Sequence, residues 1–365
     1  MNLFDVDTPA LIVDLDKMEA NIAEMATAAR EGGVRLRPHT KTHKIPEFAR
    51  MQVAAGAAGI TCAKVGEAEV MVEDGLDDIL IAYPIVGHSK ISRLERLRER
   101  SRILVSIDSL EVAQGLSRVG VHGAGPLEVY VEVDTGHHRL GRAPGADSAR
   151  LVQQIADVPG IEVIGLLTHA GHSYAADLAQ REAVVRREAQ DLLATKELCA
   201  QLGVTFSEIS VGSTPSARME ARHRADGITE VRPGTYIFND TAMVSLGVAT
   251  YDTCAAFVLA TVVSRPDEHR FVIDAGTKCF TSDGVGRPDW IKVAGWDDLS
   301  MSFTTEEHGV GTLDTSRGGR LEIGDKLLLI PSHVCPVFNL FDSAVVVRGE
   351  EVVDEVLVRG RGKVR

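Results

Sequence analysis

Lys41 stands in the densest run of chemically able side chains, Arg37-Pro38-His39-Thr40-Lys41-Thr42-His43-Lys44. The run follows a short apolar segment, Val34–Arg37, that reads as a strand. In a parallel barrel, active residues sit just past the C-terminal ends of strands. A lysine held there is desolvated, which lowers its pKa and makes its amine a nucleophile toward an aldehyde. The competing reading is a surface lysine in a basic loop, with Lys44 beside it. Two histidines and an arginine crowded at one strand end leave these readings level on chemistry alone.

Other strand ends carry further candidates. Val211-Gly212-Ser213-Thr214 follows a strand, and its small residues would let amides and hydroxyls approach a phosphate. Gly234 and Thr235 begin a second tight turn with further amide donors. Each loop alone could be an ordinary turn; the pair at successive late strand ends favours an anion site. His169 and His172 follow the strand Ile161–Leu167 and could stack on a ring or exchange protons near neutral pH. Tyr174 is a further candidate. His333 and Cys335 lie two apart, and on an extended segment they would project to one side. Imidazole with thiolate suits zinc, a borderline-soft ion; the alternative is a buried thiol beside a polar histidine. Asp342, Glu306, Glu307 and His308 cannot be assigned as ligands. The GxG fragments at 284–286 and 309–311 lack the strand-to-helix setting of a dinucleotide site and read as β-turns. The charged run Lys90–Arg102 reads as a solvated helix face. No Ser-His-Asp triad follows from spacing.

The elements that must position these groups alternate. Candidate strands are Ala10–Val13, Val34–Arg37, Gly59–Cys62, Ile79–Ala82, Ile103–Ile107, Val129–Val133, Ile161–Leu167 and Ile209–Val211. Amphipathic stretches such as Leu15–Glu31, Ile45–Ala55, Gly66–Asp74 and Ala179–Leu202 lie between them. Strand–helix alternation implies parallel strands with helical crossovers. Eight strands over this length favour an α/β fold of the (β/α)8 TIM-barrel type over an open doubly wound sheet. From about Tyr251 the segments become short, β-branched and separated by Gly, Pro and Asp, which reads as an all-β domain. The expected division is residues 1–245 for the barrel and 246–365 for a C-terminal β-domain carrying His333 and Cys335.

Composition narrows the function classes. The 365 residues are 44% hydrophobic and 25% charged, enough for a sizeable core. The formal net charge of −13 argues against nucleic acid as a main partner. A small anion at a local cluster of donors stays open. No apolar run reaches the length of about 18 residues that a membrane span needs. The first residues lack the pattern of a signal peptide, so a cytoplasmic location is expected. Five cysteines at wide spacings, with no Cys-x-x-Cys, do not read as a disulfide framework.

The run through Lys41 also carries a resemblance. Together with Asp7-Thr8-Pro9-Ala10-Leu11, it resembles the D-threonine aldolase and D-serine dehydratase group of alanine-racemase-like pyridoxal-phosphate enzymes. The likeness continues through Glu132-Val133-Asp134-Thr135-Gly136-His137-His138-Arg139, Gly165-Leu166-Leu167-Thr168-His169-Ala170-Gly171-His172, Val211-Gly212-Ser213-Thr214-Pro215, Val231-Arg232-Pro233-Gly234-Thr235-Tyr236 and Pro331-Ser332-His333-Val334-Cys335-Pro336. These motifs keep the family's order across nearly the whole chain. The resemblance implies a (β/α)8 barrel followed by a β-domain, and pyridoxal 5'-phosphate carried by Lys41 with His39 beside it. It implies that Ser213, Thr214, Gly234, Thr235 and Tyr236 hold the cofactor phosphate. It sets Arg232 at the pyridine nitrogen and Arg139 near the cofactor hydroxyl; a structural salt bridge is the other reading of Arg232. Glu132 departs from the lysine that many racemases carry there.

The same resemblance implies a divalent metal at His333 and Cys335, zinc favoured, manganese or magnesium open. The expected substrates are 3-hydroxy-D-amino acids such as D-serine, D-threonine or D-3-hydroxyaspartate, and a homodimer is implied. Two reactions diverge. If Lys41 takes the Cα proton, hydroxide leaves, giving ammonia and a 2-oxo acid. If His169 or His172 takes the hydroxyl proton, Cα–Cβ cleaves, giving glycine and an aldehyde. Cys335 tilts the expectation toward dehydration, whereas Asn339-Leu340-Phe341-Asp342 looks more like the aldolase branch. A racemase using Tyr251 as its second base is an alternative that would leave His333 and Cys335 idle. A non-catalytic cofactor carrier is a third, disfavoured by the extra β-domain.

Overall fold

A computed structural model describes the chain except residues 176, 222–226 and 285–288. Part of the glycine fragment at 284–286 therefore lies outside the described residues. The strands run β1 (Ala10–Asp14), β2 (Arg35–Leu36), β3 (Ile60–Cys62), β4 (Asp78–Ile81), β5 (Arg102–Ile107), β6 (Leu127–Glu132), β7 (Ile161–Leu167), β8 (Glu208–Val211), β9 (Glu230–Val231), β10 (Ala256–Ser264), β11 (Arg270–Ile273), β12 (Lys292–Val293), β13 (Leu299–Thr304), β14 (Gly309–Leu313), β15 (Lys326–Ile330), β16 (Ser343–Arg348) and β17 (Glu351–Leu357). The helices are α1 (Leu15–Gly32), α2 (Pro46–Ala54), α3 (Val65–Glu73), α4 (His88–Arg98), α5 (Leu110–Val121), α6 (Ala146–Ala156), α7 (Leu178–Gln201), α8 (Ala217–Glu220), α9 (Thr241–Ser245), α10 (Thr277–Phe280) and α11 (Val334–Phe338).

The chain forms two compact units, each assembled from separate stretches. One comprises Met1–Ile22, Thr42–Ile45 and Thr235–Gly362; the other comprises Ala23–Lys41, Pro46–Gly234 and Lys363–Arg365. The second is the barrel. Its eight strands are all parallel, in the order β2-β9-β8-β7-β6-β5-β4-β3. The ends of this row meet. A bridge joins His39 to Thr61, and Ala58 N and Thr61 N donate to Leu36 O and Pro38 O at 2.8 and 2.7 Å. Closure leaves no strand edge to pair with another chain. Helical crossovers explain why every strand runs the same way. The longest, α7, begins at Asp177, whose carboxylate accepts from Gln180 N while the Gln180 side chain accepts from Asp177 N, a capping box. Inside the barrel, Leu80, Leu104, Tyr130 and Leu167 from four successive strands form one buried cluster. Each such side chain contributes roughly 1.5–3 kcal/mol through burial.

The other unit is a nine-stranded sheet with the main order β13-β14-β11-β10-β1-β16-β17, from which β15 and β12 branch at β10. All its pairs are antiparallel except β1 with β16. Leu3, Val6, Ile12, Cys254, Phe257, Leu259, Ile330 and Val347 make its core.

One strand assignment from the sequence is corrected. Ala10–Val13 was expected in the barrel, but β1 pairs with β10 and β16 in the other sheet. The eighth barrel place is taken by β9, only two residues long. A four-residue apolar run looks the same in either sheet, and two residues show no periodicity.

Candidate active site

Lys41 lies in a single 3-10 turn, Thr40–Thr42, just past β2. The approach to it is clamped from both neighbouring strands. Arg37 N donates to Val231 O at 3.0 Å and His39 N to Pro233 O at 2.9 Å. On the other side Thr40 Oγ1 donates to Thr61 O at 3.0 Å. Below the turn, Arg37 Nε donates to Glu230 Oε2 at 2.8 Å, and the guanidinium also meets the Asp78 carboxylate. Arg37 and Glu230 are both fully buried, so the turn rests on a rigid ionic base.

The predicted barrel residues do come together. Burial and then the charge of Lys41, with Arg232, His169 and Arg139 behind it, holds His39 well below its ordinary pKa. Burial and Lys41 likewise push His169 down to about 3, although its hydrogen bond to the Gly212 carbonyl opposes this. The mutual influence puts an amine, two neutral imidazoles and two guanidinium groups in one cluster. Arg232 is buried and donates to Thr168 O at 2.6 Å and to Ser210 Oγ. Burial lowers its pKa against the pull of Glu230, Glu132, Tyr130 and Glu188. Glu132, at the end of β6, accepts from Ser106 Oγ at 3.0 Å and lies 3.9 Å from Arg139; burial pushes its pKa up.

The two small-residue loops also meet, because Gly234 N donates to Thr214 Oγ1 at 3.2 Å. Gly212 has φ +134°, and a Cβ there would fall 2.7 Å from Arg232 N, so this turn requires glycine. Ser213 Oγ lies 3.0 Å from Ser173 Oγ and 2.7 Å from Ser216 Oγ. Ser173 and Ser216, both fully buried, were not singled out from the sequence. Ser173 carried no signal of its own, since only the turn after β7 brings it to the loop after β8. His137 is another such residue; its ring meets His169 edge-on at 5.5 Å and packs against Gly171. His172 faces Gly136, and its buried Nδ1 has no hydrogen-bond partner among the described residues. Tyr174 sits on the same turn and is exposed.

This donor set fits pyridoxal phosphate. Lys41 would hold its aldehyde, the hydroxyls of Ser213, Thr214 and neighbouring serines its phosphate, and Arg232, which donates to a hydroxyl and a carbonyl, its ring nitrogen.

His333, Cys335, Thr235 and Tyr236 belong to the sheet unit. His333 is extended, but Cys335 lies in the first turn of α11 rather than on the extended segment expected. The two side chains nevertheless interact. Burial lowers the pKa of His333, but Cys335 and Asp283 outweigh it and raise it to about 9. His333 Nδ1 is 2.9 Å from Asp283 Oδ2, which leaves Nε2 for another contact. Cys335 Sγ lies 3.2 Å from Thr42 Oγ1 and 3.6 Å from Thr235 Oγ1. Those threonines directly follow Lys41 and Gly234 in the chain. Tyr236 is buried. Among the described residues no cluster of three or more His, Cys, Asp or Glu is placed to hold a metal. An imidazole and a thiol alone fit a metal that keeps open positions, not a closed structural site. Tyr251, the second base of the racemase alternative, has its hydroxyl 3.5 Å from Asp289 Oδ2. No described helix is long and apolar enough to cross a membrane.

A closed parallel barrel bearing a strand-end lysine, with a separate sheet unit, defines a fold type III pyridoxal-phosphate enzyme. Residues 13–242 match the family described as "Alanine racemase, N-terminal domain", and residues 255–347 match "Putative serine dehydratase domain". The chain belongs to the alanine-racemase-like family, in its D-threonine aldolase and D-serine dehydratase group, and is a pyridoxal-phosphate-dependent lyase. It is 36% identical to a D-threonine aldolase of Arthrobacter sp., covering 98% of this chain and 93% of that one. It is 34% identical to a D-threo-3-hydroxyaspartate dehydratase of Delftia sp. strain HT23, covering 91% and 92%. The solved D-threonine aldolase of Filomicrobium marinum superposes with a TM-score of 0.92 at 32% identity, covering 100% and 98%. For a D-threo-3-hydroxyaspartate dehydratase, structures exist with a histidine, and with the cysteine two positions on, replaced by alanine; the latter is described as metal-free.

Proposed function

We propose that this lyase acts on 3-hydroxy-D-amino acids with the help of a divalent metal, zinc favoured, and that it eliminates water, the resulting enamine tautomerising and taking up water to give a 2-oxo acid and ammonia. The observation carrying this reading is the His333–Cys335 pair, whose spacing matches the two residues replaced in the D-threo-3-hydroxyaspartate dehydratase. The cofactor supplies an electron sink for negative charge at the substrate's Cα. The metal supplies Lewis-acid polarisation of the 3-hydroxyl.

The chain's own residues do the rest. The Lys41 amine, surrounded by positive charge, takes the Cα proton once the substrate has freed it. Arg232, held by Ser210 and Thr168, would face the ring nitrogen and, as a cation, would disfavour its protonation. His169, neutral at working pH, offers Nε2 as an acceptor. Retro-aldol cleavage to glycine is the second reading, favoured by the 36% identity to an aldolase; there His169 or His172 takes the hydroxyl proton. The family resemblance also supports a homodimer, with small D-amino acids as ligands.

Incubation with pyridoxal phosphate, Zn²⁺ or Mn²⁺ and D-serine, D-threonine or D-3-hydroxyaspartate tests the proposal. A 2-oxo acid with ammonia is expected. Glycine alone would reject dehydration, and L-isomers alone would reject both lyase readings.

A further inference from the structure

Behind the phosphate loop lie two carboxyl groups that the proposed chemistry does not use. Glu188 projects from α7 and Glu220 from α8, and each is 1% exposed. None of their four oxygens has a donor in full hydrogen-bond geometry among the described residues; the Ser216 hydroxyl and the partner carboxyl are the polar groups that bear on them. Isolated buried carboxylates are expensive, so such a pair keeps a proton rather than both charges. Their place gives that proton a use. The helix bearing Glu220 grows straight out of the loop: Ala217 N donates to Ser213 O at 3.0 Å and Glu220 N to Ser216 O at 2.9 Å. Glu220 Oε2 approaches the loop itself, since a Cβ on Gly212 would stand 3.3 Å from it.

We propose that Glu188 and Glu220 hold one proton between them, and that this proton governs how tightly the Gly212–Ser216 loop binds the cofactor phosphate. The inference rests on the assignment of that loop to the phosphate. With one proton the pair carries a single negative charge, which Arg232 faces. Without it, two carboxylates stand behind a loop asked to accept a dianion, and like charges at close range in a buried site repel strongly. Glu188 and Glu220 are thus positioning residues that act through the loop. The charged groups bearing on them are each other and Arg232, on which Glu230 and Glu132 also act. Burial and the partner's charge raise the pKa of Glu188, and burial raises that of Glu220.

The test uses the full apo chain. Binding of pyridoxal phosphate, followed by visible absorbance, and of inorganic phosphate, followed by calorimetry, is measured from pH 7 to 9. The cofactor phosphate's own second ionisation, near pH 6, is then complete; inorganic phosphate loses its second proton about one unit higher, so its constants are compared between wild type and variants at each pH. In the wild type the dissociation constants should rise by up to about tenfold per pH unit as the pair loses its proton. In Glu220→Gln and Glu188→Gln, where at most one negative charge can form, the rise should flatten. Equal slopes in wild type and variants would overturn the inference while leaving the cofactor site intact. Absence of cofactor binding at any pH would overturn the site assignment and this inference together. If both variants fail to fold, the wild type alone decides. In weak buffer at the top of this range, with an indicator dye, phosphate binding should take up close to one proton per site, and no uptake would refute the shared proton.

Discussion

His169 Nδ1 lies 2.8 Å from the carbonyl oxygen of Gly212. A carbonyl only accepts, so the ring proton sits on Nδ1 and Nε2 carries the lone pair. Burial and Lys41 hold the ring neutral down to about pH 3. The contact ties the segment after β7 to the Gly212–Ser216 loop after β8.

That neutrality predicts a pH dependence of stability. The unfolded histidine binds a proton below about pH 6.5, whereas the folded ring does so only near pH 3. Stability is therefore complete above pH 6.5 and falls as the solution is acidified toward 3. The slope reaches up to about 1.4 kcal/mol per pH unit for each such histidine. His39, also lowered, acts in the same sense. Denaturant unfolding of the apo protein at pH 7, 6 and 5 should show this fall, and His169→Asn should lessen it. NMR titration should find no His169 midpoint above pH 5.

Lys41→Ala should abolish the visible absorbance of bound cofactor together with turnover. Retained absorbance would mean that another amine carries the aldehyde.

The His333 Nδ1 contact with Asp283 resembles the outer-shell carboxylates that orient metal-binding imidazoles. Asp283→Asn should weaken Zn²⁺ binding by about 10–100-fold in a chelator competition. Cys335→Ala should weaken it further, and EDTA should stop turnover while the cofactor absorbance stays. Unchanged zinc affinity in Cys335→Ala would move the metal elsewhere.

Arg37→Met would leave Glu230 with its principal buried counter-charge removed. Breaking such a pair from one side destabilises by about 3–5 kcal/mol. Urea unfolding should register this loss. Replacing both partners with apolar residues should cost less, since no stranded charge remains.

The barrel was legible because each of its longer strands is an apolar run followed by an amphipathic helix of ordinary length. Lys41 and Ser213 stand out because strand ends in a parallel barrel gather at one face; the roles expected of His39 and Arg232 come from the family resemblance. Ser173, Ser216 and His137 do not stand out. Each is an unremarkable residue in a turn, made relevant only by a neighbour from another strand. Cys335 was found by its spacing from His333, yet the extended geometry expected of that spacing gave way to a helical turn, because Val334–Phe338 caps on the extended His333.

The sequence by itself determined the family, the lysine and the alternation that closes a barrel, since these follow from local patterns and the order of motifs. Tertiary structure alone decided that β1 joins the other sheet, that a two-residue strand completes the barrel, and that Glu188 and Glu220 are buried together behind the Gly212–Ser216 loop. The physical reason is the same in each case. Strand pairing and the sharing of a buried proton depend on partners distant in the chain, and no local pattern encodes which partner packing will deliver.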